Sequence, residues 1–125
     1  MSKFIRLPNA EFEIMEVIWS QPSPISSVQV FEWMKPVQNW TPQTVLTLLL
    51  RLTKKGFLST QKQGRERYYT PLITREDYLN SETGHFMKKF HNNSITGLMN
   101  ALYADKAPND EDLNELEQWL KERRD

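Results

Sequence analysis

At Gly56 the spacing of apolar residues changes from a helical period to an alternating one, and this restricts the possible folds more than any other feature of the chain. Before it, Val45, Leu48, Leu49 and Leu52 recur at the 3.6-residue spacing of a buried helix face. Thr41 suits the N-cap, Pro42 the first helical position and Gly56 the position just past the end. Lys54 and Lys55 fall in the last turn, where the helix dipole favours cations. After Gly56, Phe57–Lys62 and Arg67–Leu72 read as two strands around a turn at Gln63-Gly64-Arg65-Glu66. A helix that passes directly into a short hairpin with a charged tip makes a wing.

Two helices are expected ahead of this unit. Residues 10–20 place Phe12, Met15, Ile18 and Trp19 on one face, flanked by Ile14 and Val17, with Asn9 as cap and Glu11 and Glu13 in the first turn. Gln21-Pro22-Ser23-Pro24 ends that helix. Ser26-x-x-Gln29 is a capping-box pattern and opens a second helix over 27–35. Its buried stripe is Val30, Phe31 and Met34, and Pro36 ends it by disfavouring helical geometry at Lys35. Trp19 and Trp33 are expected on or beside the buried faces, and Trp40 just precedes the third helix.

Beyond the wing, Thr74 is a cap for a helix over 75–92, with Asp77 reaching back to it and Tyr78, Leu79, Phe86, Met87 and Phe90 as apolar members. Asn92-Asn93-Ser94 interrupts the pattern, and Ile95, Leu98, Met99, Leu102 and Tyr103 resume it. Ala107-Pro108-Asn109-Asp110 breaks the chain again, and Leu113, Leu116 and Leu120 line a last helix, with Trp119 beside them. The fold class is mainly α (α+β): a winged helix-turn-helix over 1–73, then a helical dimerisation tail over 74–125.

A chain of 125 residues holds one or two small units and no large catalytic core. It has no cysteine, which excludes disulfides, thiol nucleophiles and cysteine-ligated metals and suits a reducing compartment. No apolar run is long enough to cross a bilayer, and Met1-Ser2-Lys3-Phe4 lacks the apolar stretch of a signal peptide, so a cytoplasmic protein without membrane insertion is expected. His85 and His91 are six residues apart, off the spacing that puts two ligands on one helix face, and no nucleophile–base set accompanies them. No enzyme activity, metal or cofactor is expected.

The net charge is zero, but it is unevenly spread. Residues 1–74 carry 9 Lys/Arg against 5 Asp/Glu, and residues 75–125 carry 7 against 11. Between 41 and 72 the balance is 6 to 1, Glu66 being the lone acid. Such asymmetry suggests a nucleic-acid footprint on the basic half. At 100° per residue, Gln43, Thr44, Thr47, Arg51 and Lys54 point away from the core of the third helix. These are donors, acceptors and cations, the types that read base edges and clamp phosphates in double-stranded DNA. Gln43 suits a two-bond contact with adenine. Thr44 and Thr47 suit a phosphate or a thymine methyl, and Arg51 and Lys54 suit phosphates. Thr41 and Thr44 lie in the first turn, where backbone N–H groups attract an anion. Arg65 at the wing tip, with Lys62 and Arg67 near it, suits a neighbouring groove or backbone. For each residue alone, a merely solvated face is the competing explanation.

Several stretches resemble the penicillinase repressor (BlaI/MecI) family. They are Ala10-Glu11-Phe12-Glu13-Ile14-Met15 with Val17-Ile18-Trp19, and Trp40-Thr41-Pro42-Gln43-Thr44-Val45 with Thr47-Leu48-Leu49 and Arg51-Leu52. Lys54-Lys55-Gly56-Phe57-Leu58 and the Tyr68-Tyr69 pair complete them. The resemblance covers essentially the whole chain and is strongest through residue 72. It implies a homodimer that represses transcription from a palindromic operator, with Thr41, Gln43, Thr44, Leu46, Thr47 and Arg51 facing DNA. It also implies a membrane sensor of cell-wall antibiotics whose signal leads to cleavage of the repressor's C-terminal part.

Two departures stand out. The family usually carries cations at the positions of Gln43 and Leu46, so a different operator is expected, with Gln43 favouring adenine. Leu46 either meets a thymine methyl or packs with Leu50 one turn on. The expected cleavage point aligns with Ala101–Leu102 and not with the Asn–Phe pair of the staphylococcal repressors, which puts release by the same protease in doubt.

Short amphipathic helices are marginal alone. Phe86, Phe90, Ile95, Leu98, Met99, Leu102, Leu113, Leu116 and Leu120 therefore need a partner surface, which a twofold dimer supplies while setting two recognition helices one DNA turn apart. The competing arrangement folds the tail back on its own N-terminal domain. Competing functions are a winged helix that docks on another protein, and a regulator answering a different signal without cleavage. A copper-responsive relative is disfavoured because such proteins carry C-terminal cysteine pairs.

Overall fold

The structure, a computed structural model, describes residues 4–124. Helix α1 (Asn9–Trp19) starts one residue earlier than the sequence suggests. Pro8 takes the cap position in extended geometry and its carbonyl accepts the Phe12 N–H at 3.0 Å, so Asn9 is the first helical residue and not the cap. Helix α2 (Ser27–Met34) is held by the expected capping box: Ser26 Oγ accepts from the Gln29 N–H at 3.1 Å, and Gln29 Oε1 accepts from the Ser26 N–H at 2.9 Å. Lys35 keeps right-handed helical torsions, and its N–H still reaches the Phe31 carbonyl. The helix stops there because Pro36 has no N–H to continue the ladder, not because Lys35 leaves helical geometry.

Helix α3 (Pro42–Lys54) buries Val45, Leu48, Leu49 and Leu52, the four residues expected. Its end is a Schellman motif: the Phe57 N–H bonds to the Leu52 carbonyl and the Gly56 N–H to the Thr53 carbonyl, around Gly56 at φ +85°. Strands β2 (Leu58–Gln63) and β3 (Glu66–Pro71) follow as an antiparallel hairpin. Gln63 and Glu66 pair with each other, so only Gly64 and Arg65 form the tip. Gly64 sits at φ +67°, as a type II′ turn requires of its first central residue. A third strand, β1 (Ile25–Ser26), precedes α2 and pairs with β3, giving the sheet order β1-β3-β2.

The three helices and the sheet enclose one core, with Ile14, Met15, Ile18, Val30, Met34, Leu49, Phe57 and Tyr69 among its members. Phe31 and Trp19 lie half-buried at its edge, while Trp33 is exposed and takes no part in it. Helix α4 (Arg75–His91) begins at Thr74, whose Oγ1 accepts the Asp77 N–H at 3.1 Å. Tyr78 on this helix packs against Phe12, Trp19 and Phe57, and its hydroxyl accepts the buried Leu7 N–H at 2.8 Å. Arg6 pairs with Glu82, Arg75 with Glu16, and the Trp19 indole N–H donates to the Ile73 carbonyl. These ties carry the first compact unit through Thr83, into the middle of α4, whereas the change of sequence pattern lies at 73/74.

Burial raises the Tyr78 phenol above its ordinary value of 10.0, with the Leu7 N–H pulling the other way. A raised folded value means that this contribution to stability is complete below pH 10.0 and lost as pH rises through the folded value. Tyr78→Phe is expected to cost about 1–2 kcal/mol, because it orphans the buried Leu7 N–H. In urea melts at neutral and alkaline pH, the variant should lack the tyrosine's share of the alkaline loss.

The second unit, Gly84–Asp125, holds the rest of α4, then α5 (Ile95–Asp105) and α6 (Asp110–Arg124). Asn92 and Asn93 at positive φ make the break before α5, whose cap is Ser94. Neither α5 nor α6 contains a buried residue among those described. Phe86, Phe90, Ile95, Met99, Leu102, Leu113 and Leu120 are exposed, and Leu98 and Leu116 are half-exposed. Among the described residues no helix is long and apolar enough to cross a membrane.

Candidate nucleic-acid interface

The N-terminus of α3 is built from Thr41, Pro42, Gln43 and Thr44. Thr41 Oγ1 accepts the Thr44 N–H at 3.2 Å, and the two threonine hydroxyls lie 3.1 Å apart. Pro42 has no N–H and that of Thr44 is capped, so of the first three helical residues Gln43 offers its N–H to an anion. The first-turn anion site is thus narrower than the sequence suggests. Thr47 Oγ1 donates to the Gln43 carbonyl at 3.0 Å, which commits its proton and leaves acceptor lone pairs and a methyl group outward. Gln43, Leu46, Arg51 and Lys54 are exposed, and Thr44 and Thr47 half-exposed. Leu46 and Leu50 both lie outside the buried core, 41% and 54% exposed, respectively.

The hairpin brings Lys62 and Arg67 directly opposite one another on adjacent strands, with Arg65 at the tip between them in sequence. Like charges at opposed positions repel. Among the described residues no carboxylate pairs with either, and Arg67 reaches Thr60 Oγ1 at 3.5 Å. Lys62 and Arg67 lie on the same side of the hairpin as buried Leu58 and Tyr69, further out along the strands.

The described cations of the first unit separate into two sets. Arg6, Lys35, Lys55 and Arg75 each hold a carboxylate: Glu82, Glu32, Glu11 and Glu16 respectively. Among the described residues, Arg51, Lys54, Lys62, Arg65 and Arg67 hold none. The unpaired set is the one on the outer side of α3 and on the wing.

The pair between Lys55 and Glu11 was not legible in the sequence, where both looked like dipole-complementing residues of separate helices. Glu11 is only 3% exposed, and its Oε1 receives Lys55 Nζ across the core from the C-cap of α3. This pair ties α1 to the point where α3 turns into the wing. Lys55→Met is expected to destabilise the protein by about 3 kcal/mol, since it leaves Glu11 buried without a partner. Thermal unfolding followed by circular dichroism measures this.

The model of the family described as penicillinase repressor matches residues 7–122. The chain belongs to the penicillinase repressor family. It is 35% identical over 124 residues to the penicillinase repressor of Bacillus licheniformis, covering 99% of this chain and 96% of that protein. It is 28% identical over 98 residues to the methicillin resistance regulatory protein MecI of Mammaliicoccus sciuri, covering 78% and 79% respectively. It is also similar to the solution structure of monomeric Bacillus licheniformis BlaI in complex with the blaP half-operator. The TM-score is 0.53 at 42% identity, over 62% of this chain and 94% of that one. Among the described residues of this chain the wing tip is two residues and the sheet has three strands. The winged helix and helical tail expected from the sequence are both present.

The site residues fall on separate parts of the protein. Thr41, Gln43, Thr44, Leu46, Thr47, Arg51 and Lys54 lie on α3 or its cap, and Lys62, Arg65 and Arg67 on the hairpin packed beside it. Ala101 and Leu102 lie within α5, both exposed, with their backbone in helical geometry.

Proposed function

We propose that this member of the penicillinase repressor family is a sequence-specific repressor, acting in the cytoplasm as a homodimer on a palindromic operator. The outer side of α3 enters the major groove and the wing follows the neighbouring backbone. The observation that carries the proposal is the segregation of unpaired cations: five on this one surface, while four of their neighbours elsewhere in the unit are each paired. Setting Lys62 opposite Arg67 is unfavourable unless an anion joins them, and a phosphate backbone supplies that anion. Gln43 reads adenine, while Arg51 and Lys54 hold phosphates.

The tail joins the two protomers. Helices α5 and α6 hold no buried residue among those described, and a second copy covering Phe86, Phe90, Ile95, Leu98, Met99, Leu102, Leu113, Leu116 and Leu120 gives the tail a core. Release follows loss of the tail, through a membrane sensor and protease answering a cell-wall antibiotic. Cutting at Ala101–Leu102 first requires α5 to unwind, because a protease takes its substrate extended, and a helix without buried residues opens at low cost.

Mobility shift of the full chain on promoter duplexes from the source genome tests the proposal. Binding should weaken steeply with salt, by a slope of about −0.9 in log K against log salt for each phosphate neutralised. A winged helix that docks on protein gives no shift at low ionic strength, and that result overturns the proposal.

A further inference from the structure

The outward arc of α3 is polar except at two places. Leu46 and Leu50 stand one turn apart and are 41% and 54% exposed. With the buried face centred between Val45, Leu48, Leu49 and Leu52, helical geometry puts Leu50 within about 30° of the outermost line and Leu46 about 70° to one side. Arg51 lies about 70° to the other side, and Gln43 and Lys54 sit close to that line. The arc therefore has an apolar flank and a cationic flank, separated by a row of hydrogen-bonding and cationic side chains.

We infer that Leu46 and Leu50 determine specificity by packing on thymine C5-methyl groups in the major groove, which restricts each half-site to sequences with thymines at the matching steps. The inference rests on the DNA-binding role proposed above. Four base edges line a major groove, and the thymine methyl is the apolar group they present there. The two leucines sit about 6 Å apart along the helix, a span of about two base steps. Thr47 adds a methyl to the same arc because its hydroxyl proton is committed to the Gln43 carbonyl. A second copy of the chain is a poor occupant of this flank. Two α3 faces brought together would oppose Arg51 and Lys54 on each side, with no carboxylate on α3 to relieve them. Gln43 on adenine and the leucines on thymine both favour A·T pairs.

The test uses the full-length chain and duplexes selected from a random-sequence pool. In the tightest selected duplex, each thymine is replaced in turn by deoxyuridine, which removes the C5-methyl and no hydrogen-bonding group. Deoxyuridine should weaken binding about fourfold at one or two positions of each half-site, the value of one buried methyl. L46A or L50A should lose that sensitivity at its own position while binding the deoxyuridine duplex as the wild type does. Both substitutions lie on an exposed helix face and favour helix, so thermal melting should be unchanged.

If no position responds to methyl removal by more than twofold, the inference fails and the DNA-binding role stands. Sensitivity that persists in both variants also overturns it, as does an altered sedimentation of free L50A with sensitivity intact, which would mean a protein contact. If no duplex is selected at low salt, the DNA-binding role itself fails and the inference fails with it.

Discussion

Ending the chain at Thr83 is expected to lower affinity for a duplex with two inverted half-sites by about 10²–10⁴-fold, while binding to a single half-site stays unchanged. The first unit keeps its whole core after the cut, from Ile14 to Tyr78, together with the Tyr78–Leu7 and Arg6–Glu82 ties. Every α3 and wing residue proposed to touch DNA also remains. What is lost is the link that turns the second half-site contact into an intramolecular event. Replacing Leu113, Leu116 and Leu120 together by aspartate should act in the same direction, and sedimentation of the free protein should show monomers. A truncated chain that binds the two-site duplex as tightly as the full chain means that the tail does not join two DNA-reading units.

The second large effect is expected from R51A combined with R65A. A dimer loses four phosphate contacts, so the slope of log K against log salt should become shallower by about 3.6. At about 1 kcal/mol for each contact, affinity at 150 mM salt should fall about 10³-fold. The loss should be similar on all sequences, because phosphate contacts position the protein and carry no sequence information. Q43A should behave in the opposite manner, changing preference at one base pair with little change in salt slope. Neither arginine holds a carboxylate among the described residues, so the double variant should melt at the wild-type temperature.

What was legible in the sequence was set by local physics. The Ser26–Gln29 capping box, the Thr41-Pro42 start of α3 and its Gly56 stop depend on residues within a few positions of each other, and all appear as expected. The four-residue core stripe of α3 was equally plain, because a strong 3.6 period leaves little choice of face. Long-range features were not legible. Strand β1 has two residues, too few to show a period, and exists because Ile25 and Ser26 meet Tyr69 and Tyr68. Glu11 carries the local signature of a first-turn carboxylate, and only tertiary packing brings Lys55 to it. Leu7 and Tyr78 are seventy-one residues apart, and their hydrogen bond moves the end of the first unit into α4.

On the candidate site, the sequence identified the helix, the hairpin and the residue types. It left Leu46 open between packing and exposure, since an apolar residue near the edge of a stripe fits both. Leu50 enters the sequence reading only as a packing partner for Leu46, because a leucine four residues after another reads as part of a core. Both residues are exposed and neither belongs to the core of the first unit. The segregation of paired from unpaired cations could not be read from sequence, because each partnership spans separate elements or depends on side-chain geometry.

Amide chemical-shift mapping of the full chain, titrated with an operator duplex, tests most directly whether α3 and the wing lie against DNA. The shifts should concentrate between Thr41 and Lys55 and between Lys62 and Arg67, with the solvent side of α1 and the amides of α6 nearly unmoved. Perturbation centred on α1 or α6, with the α3 and wing amides unchanged at saturation, would contradict the account.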